Sequence, residues 1–354
     1  MGSLRLTSSS ATKWHGRPLG AVGSTKCKGL LAGSLYEKLG MTFDEAYDSL
    51  DRVPQEELLE VERDFEQSIV AGTKEATVLE RREQGLQYRS LVLNRRVDLE
   101  QSRIMVSGDL PEGVILHHVS SGGPHEGLSL VASLCEKRAD EPLHMVVLGG
   151  GGCAVPALCY TVLRPLYPEV KVDVVELSRE VCEVARNHFG ISALESSSDG
   201  RFALHHADAV DFAIGLEPGT VDMLILDIED GSSGNDGELT APPEVLTRDE
   251  TFLRGIAAAV RSGGALAINT IGDEGSYQHL AQNLDRICKG FDFGYSVCVP
   301  VPGPAGLRQR FYISCKLNGV RQFRLDEDII EHLVAYDNRK HWLDRLRGRY
   351  WYKL

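Results

Sequence analysis

The sequence predicts a doubly wound α/β domain with a mostly parallel sheet and one antiparallel edge strand, preceded by a helical segment and a β-hairpin. Apolar runs of strand length alternate with stretches of helical spacing between Met145 and Ile271, as in a parallel sheet whose connections are helices. Glycines 149–152 follow the first run, and the acid Glu176 ends the second. A last pair of strand-like runs, beyond residue 290, indicates the antiparallel edge.

Each element of the core follows from its hydrophobic period and from the residues that begin or end it. Strands are predicted where short apolar runs occur: 114–119, 145–148, 171–177, 202–205, 221–228, 265–271, 295–299 and 311–316. Helices are predicted where apolar residues recur every three or four positions: 124–138, 155–166, 179–189, 247–263, 275–288 and 325–346. Gly190 is expected to end one of these helices, and Thr247 and Glu250 form a capping box for another.

Three regions are predicted along the chain. Residues 1–40 form a disordered leader, because the first 36 positions contain no Asp or Glu but several Lys and Arg; this composition also suits an organellar transit peptide. Residues 41–120 are accessory, with acidic helices over 42–84 and a β-hairpin over 88–106. Residues 121–354 form the α/β domain itself.

Composition excludes several classes of function. The chain has 38 Lys and Arg against 51 Asp and Glu, and a net charge of −13 disfavours nonspecific binding to nucleic acid. No apolar run approaches the ~18 residues of a membrane span. The eight cysteines show no C-x-x-C spacing, so reduced thiols in the cytoplasm are expected rather than a zinc site.

The glycine run and the acid after the next strand predict a nucleoside site. In a doubly wound sheet both lie at the carboxyl edge, where glycines let a ligand approach the backbone and the acid accepts hydrogen bonds from a ribose diol. The dinucleotide pattern G-x-G-x-x-G is not met, because Cys153, Ala154 and Val155 follow the glycines. A turn that only packs a helix tightly against a strand is the structural alternative.

Three acids stand just after successive strands: Glu176, Asp208 and Asp227. Because the carboxyl ends of parallel strands share one crevice, these carboxylates are expected to converge. A cationic sulfonium ligand with an adenosine group explains them. Glu176 would bind the ribose hydroxyls, Asp208 the adenine amino group, and Asp227 would face the reacting centre. Each acid taken alone also fits a solvated turn residue.

Five short segments carry a family resemblance: VVLGGGG, VVEL, VCEVARNHFGI, HADAVDF and LILDIED. They resemble the Rossmann-like class I S-adenosylmethionine fold in its spermidine-synthase-like branch. The polyamine enzymes of that branch carry an Asp-x-x-Asp pair, which Asp227 and Asp230 match. They also carry Asp-Glu and Tyr-x-Glu residues that recognise the polyamine, whereas the corresponding segment here, 115–134, has no Tyr and only Glu126. That departure counts against aminopropyl transfer.

Further segments resemble a narrower family: YRSLVLNRR, DIED, the proline-rich LTAPPEVLTRDETFL, and ALAINTI with Asn269. They are similar to the C-terminal domain of the methyltransferase-like 13 family, the elongation factor 1A lysine and N-terminal methyltransferases. That resemblance implies α-N-methylation of a protein, with translation elongation factor 1A as the expected substrate and S-adenosyl-L-methionine as the cofactor. The expected site has no metal; it comprises the cofactor-binding residues Gly149, Gly150, Gly151, Glu176, Leu177, Asp208, Ala209 and Asp227, and the catalytic residues Asp227, Asn269 and Asp230.

Three functions stay open on the sequence alone. The first is an S-adenosylmethionine-dependent protein methyltransferase, whose partner is a protein substrate and neither nucleic acid nor a membrane. The second is a polyamine aminopropyltransferase that uses decarboxylated S-adenosylmethionine, which Asp227 and Asp230 favour. The third is a noncatalytic member of the fold that serves binding or dimerisation, which Cys153 after the glycines favours. Whether the chain forms a homodimer is left open.

Overall fold

A computed structural model describes most of the second half of the chain and parts of the first. The described residues are 69–72, 75–83, 86–93, 100–107, 113–119, 124–134, 142–229, 241–272, 274–288, 291, 294–300, 308–316, 327–333 and 352–353. The chain divides into two compact units, Met1–Ile69 and Val70–Leu354, and apart from Ile69 the described residues belong to the second. The predicted leader, 1–40, and the candidate Asp230 lie outside the described residues. The three-region division of the chain stays a prediction.

Two sheets and the helices around them make up the described part of the chain. The strands are β1 (Ile69–Gly72), β2 (Ala76–Glu83), β3 (Leu86–Leu93), β4 (Ser102–Ser107), β5 (Val114–Ile115), β6 (His144–Leu148), β7 (Lys171–Glu176), β8 (Phe202–His206), β9 (Val221–Leu226), β10 (Val260–Gly272), β11 (Gly294–Pro300), β12 (Arg308–Cys315) and β13 (Tyr352–Lys353). The helices are α1 (Pro124–Ser129), α2 (Val131–Leu134), α3 (Ala154–Leu163), α4 (Arg179–His188), α5 (Ile191–Ser197), α6 (Ala209–Ile214), α7 (Glu244–Arg248), α8 (Glu250–Ala259), α9 (Glu274–Ile287) and α10 (Glu327–Leu333). None of these helices combines the length and apolar character that a membrane crossing needs.

The larger sheet has eight strands in the order β13-β11-β12-β10-β9-β6-β7-β8. The five strands from β10 to β8 pair in parallel, and β12, β11 and β13 extend the sheet antiparallel at one edge. The chain starts in the centre at β6, adds β7 and β8 on one side, and then crosses to β9 and β10 on the other. This confirms the predicted doubly wound fold. In such sheets the ligand binds outside the carboxyl ends of the strands, where the winding reverses.

Strand register aligns the residues that follow the three central strands. Leu148 of β6 lies opposite Val175 of β7 and Leu226 of β9. The residue that follows each of these three positions therefore lies at the same edge of the sheet. These residues are Gly149, Glu176 and Asp227. The edge predicted from the alternation of strands and helices is thus fixed by two parallel pairings among three strands.

Helices cover both faces of the larger sheet because its central strands are apolar on both faces. Strand β9 is buried along its whole length. In β6, Met145 and Val147 belong to the apolar cluster that includes α3 and α4, whereas Val146 and Leu148 belong to the cluster that includes α8 and α9. The larger sheet is therefore the middle of three layers, with helices on both of its faces.

The smaller sheet has five strands in the order β1-β2-β3-β4-β5 and corrects one prediction. Residues 69–72 and 76–83 form β1 and β2 rather than the end of an acidic helical segment. The charged residues of this segment favoured a helix, but all of β2 pairs antiparallel with β3, and Val78 and Leu79 are buried. Pairing and burial outweigh local propensity here. The hairpin prediction is confirmed, since β3 pairs antiparallel with β4.

Several element ends also differ from prediction. Asp249, and not Thr247, caps α8, because its side chain accepts the backbone amide protons of Thr251 (2.8 Å) and Phe252 (3.0 Å). That helix gives way directly to β10, so Gly263 lies within the strand. The helix predicted over 124–138 consists of α1 and α2 in its described part, the strand predicted over 114–119 covers two residues, and the antiparallel edge has three strands.

Candidate functional site

The glycine loop after β6 has a backbone conformation that residues with a side chain rarely adopt. Gly149 and Gly151 have φ values of +99° and +48°, in the left-handed region that glycine adopts at least cost. A Cβ at Gly149 would overlap the carbonyl oxygen of Asp227, so glycine is required there by close approach as well. Cys153 also has a positive φ, +60°, and it takes this strained conformation at the start of α3.

The amides of this loop are held by the protein's own acceptors. The Gly151 amide donates to Oε2 of Glu176 over 2.9 Å, and the Gly152 amide donates to Oγ of Ser102 over 2.8 Å. In dinucleotide sites the corresponding amides and the following helix start bind a pyrophosphate. A carboxylate on the Gly151 amide would repel such a group, so the loop suits a ligand without phosphate.

Glu176 is held by neutral donors on both of its oxygens. Its Oε1 accepts the amide proton of Ser178 over 2.8 Å, while Oε2 takes the Gly151 amide. Ser178 in turn caps α4, with its hydroxyl accepting from the Val181 amide over 3.2 Å. Neutral amides orient the carboxylate without cancelling its charge, and each oxygen keeps lone pairs for a ribose hydroxyl.

Asp227 and Asn269 lie side by side at the ends of β9 and β10. The Nδ2 of Asn269 donates to Oδ1 of Asp227 over 2.8 Å, and Asn269 is 2% exposed. The Asp227 backbone amide donates to the Leu148 carbonyl over 2.7 Å, which ties the acid to the glycine side of the edge. The two candidate residues are therefore in direct hydrogen-bond contact.

Asp208 has a structural task at the same edge. Its Oδ1 accepts the amide proton of Val210 over 2.7 Å and so caps the exposed start of α6. The second carboxylate oxygen stays available at the cavity, which Asp208 and Ala209 both line. Asp208 therefore caps α6, independently of any ligand that it binds.

A cavity of about 710 Å³ opens at this edge of the sheet. Every described candidate lines it: Gly149, Gly150, Gly151, Glu176, Leu177, Asp208, Ala209, Asp227 and Asn269. Six of its lining residues are acids, Glu75, Glu100, Glu176, Asp208, Asp227 and Glu229, and none of the lining residues within the described ranges is Lys, Arg or His. A cavity of this size and charge fits a nucleoside with a cationic group.

Sequence reasoning missed the walls that come from outside the parallel sheet. Ser102 at the start of β4 and the two residues before it, Glu100 and Gln101, line the cavity, and the start of α7 contributes Val245 and Leu246. One signal was available: the run has a fourth glycine, which a nucleoside turn does not need. A Cβ on that glycine would lie 2.8 Å from the Cβ of Ser102, so the extra glycine marks the close approach of a second sheet.

The described cysteines near the site are unsuited to covalent catalysis. Burial raises the pKa of the Cys153 thiol well above its usual value, and the nearby Glu176 carboxylate raises it further. Burial likewise raises the pKa of Cys182 to about 11, with Glu176 again contributing. A thiol must ionise to act as a nucleophile, and these two stay protonated at neutral pH.

The chain is similar to two curated proteins over part of its length. It is 28% identical over 150 residues, 41% of this chain, to the eEF1A lysine and N-terminal methyltransferase of Mus musculus, and 28% identical over 141 residues, 39% of this chain, to the polyamine aminopropyltransferase of Vibrio vulnificus. It spans 19% and 41% of the lengths of these two relatives. No family model matches the chain.

A solved structure shows the same fold. The crystal structure of a probable spermidine synthase from Corynebacterium glutamicum superposes with a TM-score of 0.54 at 15% sequence identity, over 79% of this chain and 95% of that one. At this identity the likeness concerns the fold alone. The chain thus has the class I methyltransferase fold in its spermidine-synthase-like form, and its resemblance to the eEF1A N-terminal methyltransferase family is confirmed.

Proposed function

We propose that the chain is an S-adenosyl-L-methionine-dependent methyltransferase that acts on the α-amino group of a protein, with an elongation factor 1A-like substrate. The observation that carries this proposal is the acid-lined cavity at the carboxyl edge, where Glu176 and Asp227 are oriented by neutral amide donors. Six carboxylates around one cavity favour a ligand and a substrate that are both cationic. The partial similarity to a protein N-terminal methyltransferase supports the same choice.

The residues present suit an adenosyl ligand. Glu176 would bind the ribose hydroxyls, Asp208 and Ala209 would border the adenine, and Leu177, which is 68% exposed, would cover one face of it. The glycine loop allows the backbone to approach the ligand closely. Once bound, the cofactor supplies an electrophilic methyl group on a sulfonium.

The acceptor amine must be neutral and in line with that methyl group. An α-amine has a pKa of about 7.7–8.0, against about 10.4 for lysine, so its deprotonation at neutral pH costs roughly 3.4 kcal/mol less. Such an acceptor needs positioning more than a strong base. Asp227, held by Asn269, would orient the amine, and Glu229 would attract the cationic chain end; Asp230 is proposed for the same task.

The proposal is tested by methylation of a peptide that carries the N-terminal sequence of elongation factor 1A. Mass spectrometry is expected to find methyl groups on the free N-terminus and none on the same peptide with an acetylated N-terminus, in which the lysines are unchanged. Methylation of both peptides would mean that lysine is the methylated group, and it would overturn the α-amine assignment. Absence of binding by calorimetry of both S-adenosylmethionine and its decarboxylated form would favour a noncatalytic binding module.

A second candidate, aminopropyl transfer, is favoured by a specific feature of the cavity. S-adenosylmethionine carries a carboxylate that its decarboxylated form lacks, and no cationic side chain among the described lining residues pairs with such a group. Each protein carboxylate about 4 Å from the ligand's would oppose binding by roughly 1–4 kcal/mol. Among the described residues, Arg103 lies near this wall, where its Nη1 is 3.8 Å from Oε2 of Glu100 and so pairs with a protein carboxylate.

Calorimetry with the two cofactors in parallel distinguishes the candidates. A methyltransferase should bind S-adenosylmethionine at least as tightly as the decarboxylated form, whereas an aminopropyltransferase should prefer the decarboxylated form by tenfold or more. Incubation of the decarboxylated cofactor with putrescine would then yield spermidine only for the second candidate. The same comparison on a Glu217→Gln variant, which changes an exposed acid outside the cavity, is the control for the overall charge of the protein. Its preference between the two cofactors should equal that of wild type.

A further inference from the structure

The smaller sheet contacts the glycine loop through a buried hydroxyl. Ser102 begins β4 and is 4% exposed, and its Oγ accepts the Gly152 amide proton over 2.8 Å. A Cβ at Gly152 would lie 2.8 Å from the Cβ of Ser102 and 3.0 Å from the ring of Phe189. Only glycine therefore lets β4 approach the loop this closely, and the fourth glycine of the run serves this contact.

Two further contacts fix the smaller sheet beside the site. Arg89 of β3 is buried in an ion pair with Glu80 of β2, and its Nη1 donates to the carbonyl oxygen of His188 over 2.6 Å. That carbonyl ends α4, where a cation satisfies an acceptor that the helix leaves unpaired. His117, after β5, lies against Gly190, where an added Cβ would be 3.0 Å from its Nε2. The sheet is thus a fixed wall.

The loop depends on outside acceptors to fix its shape. Gly149 and Gly151 adopt positive φ at little cost and are therefore free to take other conformations, whereas the positive φ of Cys153 is strained and persists only where the surroundings fix it. One side-chain acceptor, Glu176, comes from the larger sheet and binds the Gly151 amide. The other is the Ser102 hydroxyl, which comes from the smaller sheet and binds the Gly152 amide. The shape of the loop therefore depends on both sheets.

We propose that Ser102 is a positioning residue for the adenosyl ligand, because its hydroxyl holds the glycine loop in the conformation that receives this ligand. The inference rests on the proposed function in one respect, namely that the loop receives an adenosyl group. Without the hydroxyl, the buried Gly152 amide has lost its acceptor and the free loop relaxes to satisfy it. The ligand then binds only the fraction of molecules that keep the original conformation.

Calorimetry with S-adenosylmethionine on three variants tests the proposal. Ser102→Ala is expected to raise Kd about three- to tenfold, since one hydrogen bond contributes roughly 0.5–1.5 kcal/mol. Ser102→Thr, which keeps the hydroxyl, should restore Kd to within about twofold of wild type. Ser107→Ala is the matched control, because Ser107 lies in the same strand and bonds to the Val114 carbonyl at 3.4 Å. The KM of the amine substrate and kcat at saturating cofactor should not change.

Each contrary outcome overturns a different statement. An unchanged Kd in Ser102→Ala, or equal weakening in the Ala and Thr variants, would remove the hydroxyl from ligand positioning. Should Ser102→Ala fail to fold, the wild-type protein without ligand still decides, because rapid exchange of the Gly152 amide proton would mean that the hydrogen bond does not hold the loop. Failure of the wild-type protein to bind the cofactor while that amide is protected would overturn the proposed function instead.

Discussion

Carboxylates at the amino end of the parallel sheet form ion pairs or hydrogen bonds with cationic or histidine side chains. Asp222 of β9 forms a buried ion pair with Arg261 of β10 and accepts the His144 amide over 2.7 Å. Asp173 of β7 accepts from Lys171 Nζ at 2.6 Å, and the rings of His144 and His205 complete its contacts. These acids contribute to a network that crosses five neighbouring strands.

Carboxylates at the carboxyl end of the same sheet are held differently. Glu176 accepts two backbone amides and Asp208 accepts one. Asp227 accepts the side-chain amide of Asn269. These donors fix the direction of each carboxylate but carry no charge. The difference separates acids that pair with cations or histidines within the sheet from acids that line the cavity, although both kinds occupy strand positions of similar appearance.

The largest effect is expected at the amino end, on stability. Asp222→Asn removes the negative charge beside Arg261, and both side chains are under one tenth exposed, so the cation stays buried without the charge of Asp222. Loss of one partner from a buried pair costs about 3–5 kcal/mol. Urea unfolding should show this loss, while kcat of the folded fraction stays unchanged. An unfolding midpoint equal to that of wild type would remove the proposed distinction between the two ends.

Asp227→Asn at the carboxyl end is expected to lower activity and leave stability unchanged. The substitution keeps the shape of the side chain and removes the charge that would orient the acceptor amine. Misorientation of the amine should lower the rate of methyl transfer about 100-fold, with the unfolding midpoint within error of wild type. Single-turnover kinetics with the elongation factor peptide measures the rate. Methylation at the wild-type rate would exclude Asp227 from the reaction.

The acids of the site could be predicted because their signal is local. Glu176, Asp208 and Asp227 each follow an apolar strand, and parallel pairing brings all strand ends of one direction to one edge. The partner of Asp227 could be predicted for the same reason. A single strand–turn–helix–strand unit therefore contains enough information to locate the edge of the sheet at which the cavity opens.

The wall from the smaller sheet could not be predicted, because its signal is not local. Ser102 lies 50 residues before Gly152 and reaches it through the pairing of strands β2 to β4. The segment that forms β2 is rich in Glu and Arg, which favour a helix when considered alone. Its strand conformation depends on β3 as a neighbour, and a pattern within one segment does not contain that neighbour.

A smaller effect is expected when the orientation of Asp227 is weakened rather than its charge removed. Asn269→Ala removes the donor that lies 2.8 Å from Oδ1 of Asp227. A hydrogen bond to a charged group contributes roughly 1.5–3 kcal/mol, so kcat should fall about tenfold or more. The KM of S-adenosylmethionine should not change, because Asn269 acts through the acid and not on the adenosine. A rise in that KM with unchanged kcat would place Asn269 in cofactor binding instead.

The smallest effect concerns the pH dependence of stability at the amino end. Burial alone would raise the pKa of the Asp173 carboxyl, but hydrogen bonds from His144, His205 and Lys171 outweigh it and hold this pKa below its usual range. The resulting stabilisation is fully present above the carboxyl pKa of the unfolded chain, about 3.9, and is lost as the pH falls through the lower pKa of the folded state.

Urea unfolding of wild type and Asp173→Asn over a range of pH measures this contribution. The difference in the free energy of unfolding between the two proteins should have its full value near pH 5 and should shrink below about pH 4, because the carboxyl of the unfolded wild-type chain then takes up a proton while the folded carboxyl, with its lowered pKa, does not. The exposed Asp285, changed to Asn, provides the matched control and should give no such trend. A difference that stays constant down to about pH 3 would mean that the charge of Asp173 is not what its histidine and lysine neighbours stabilise.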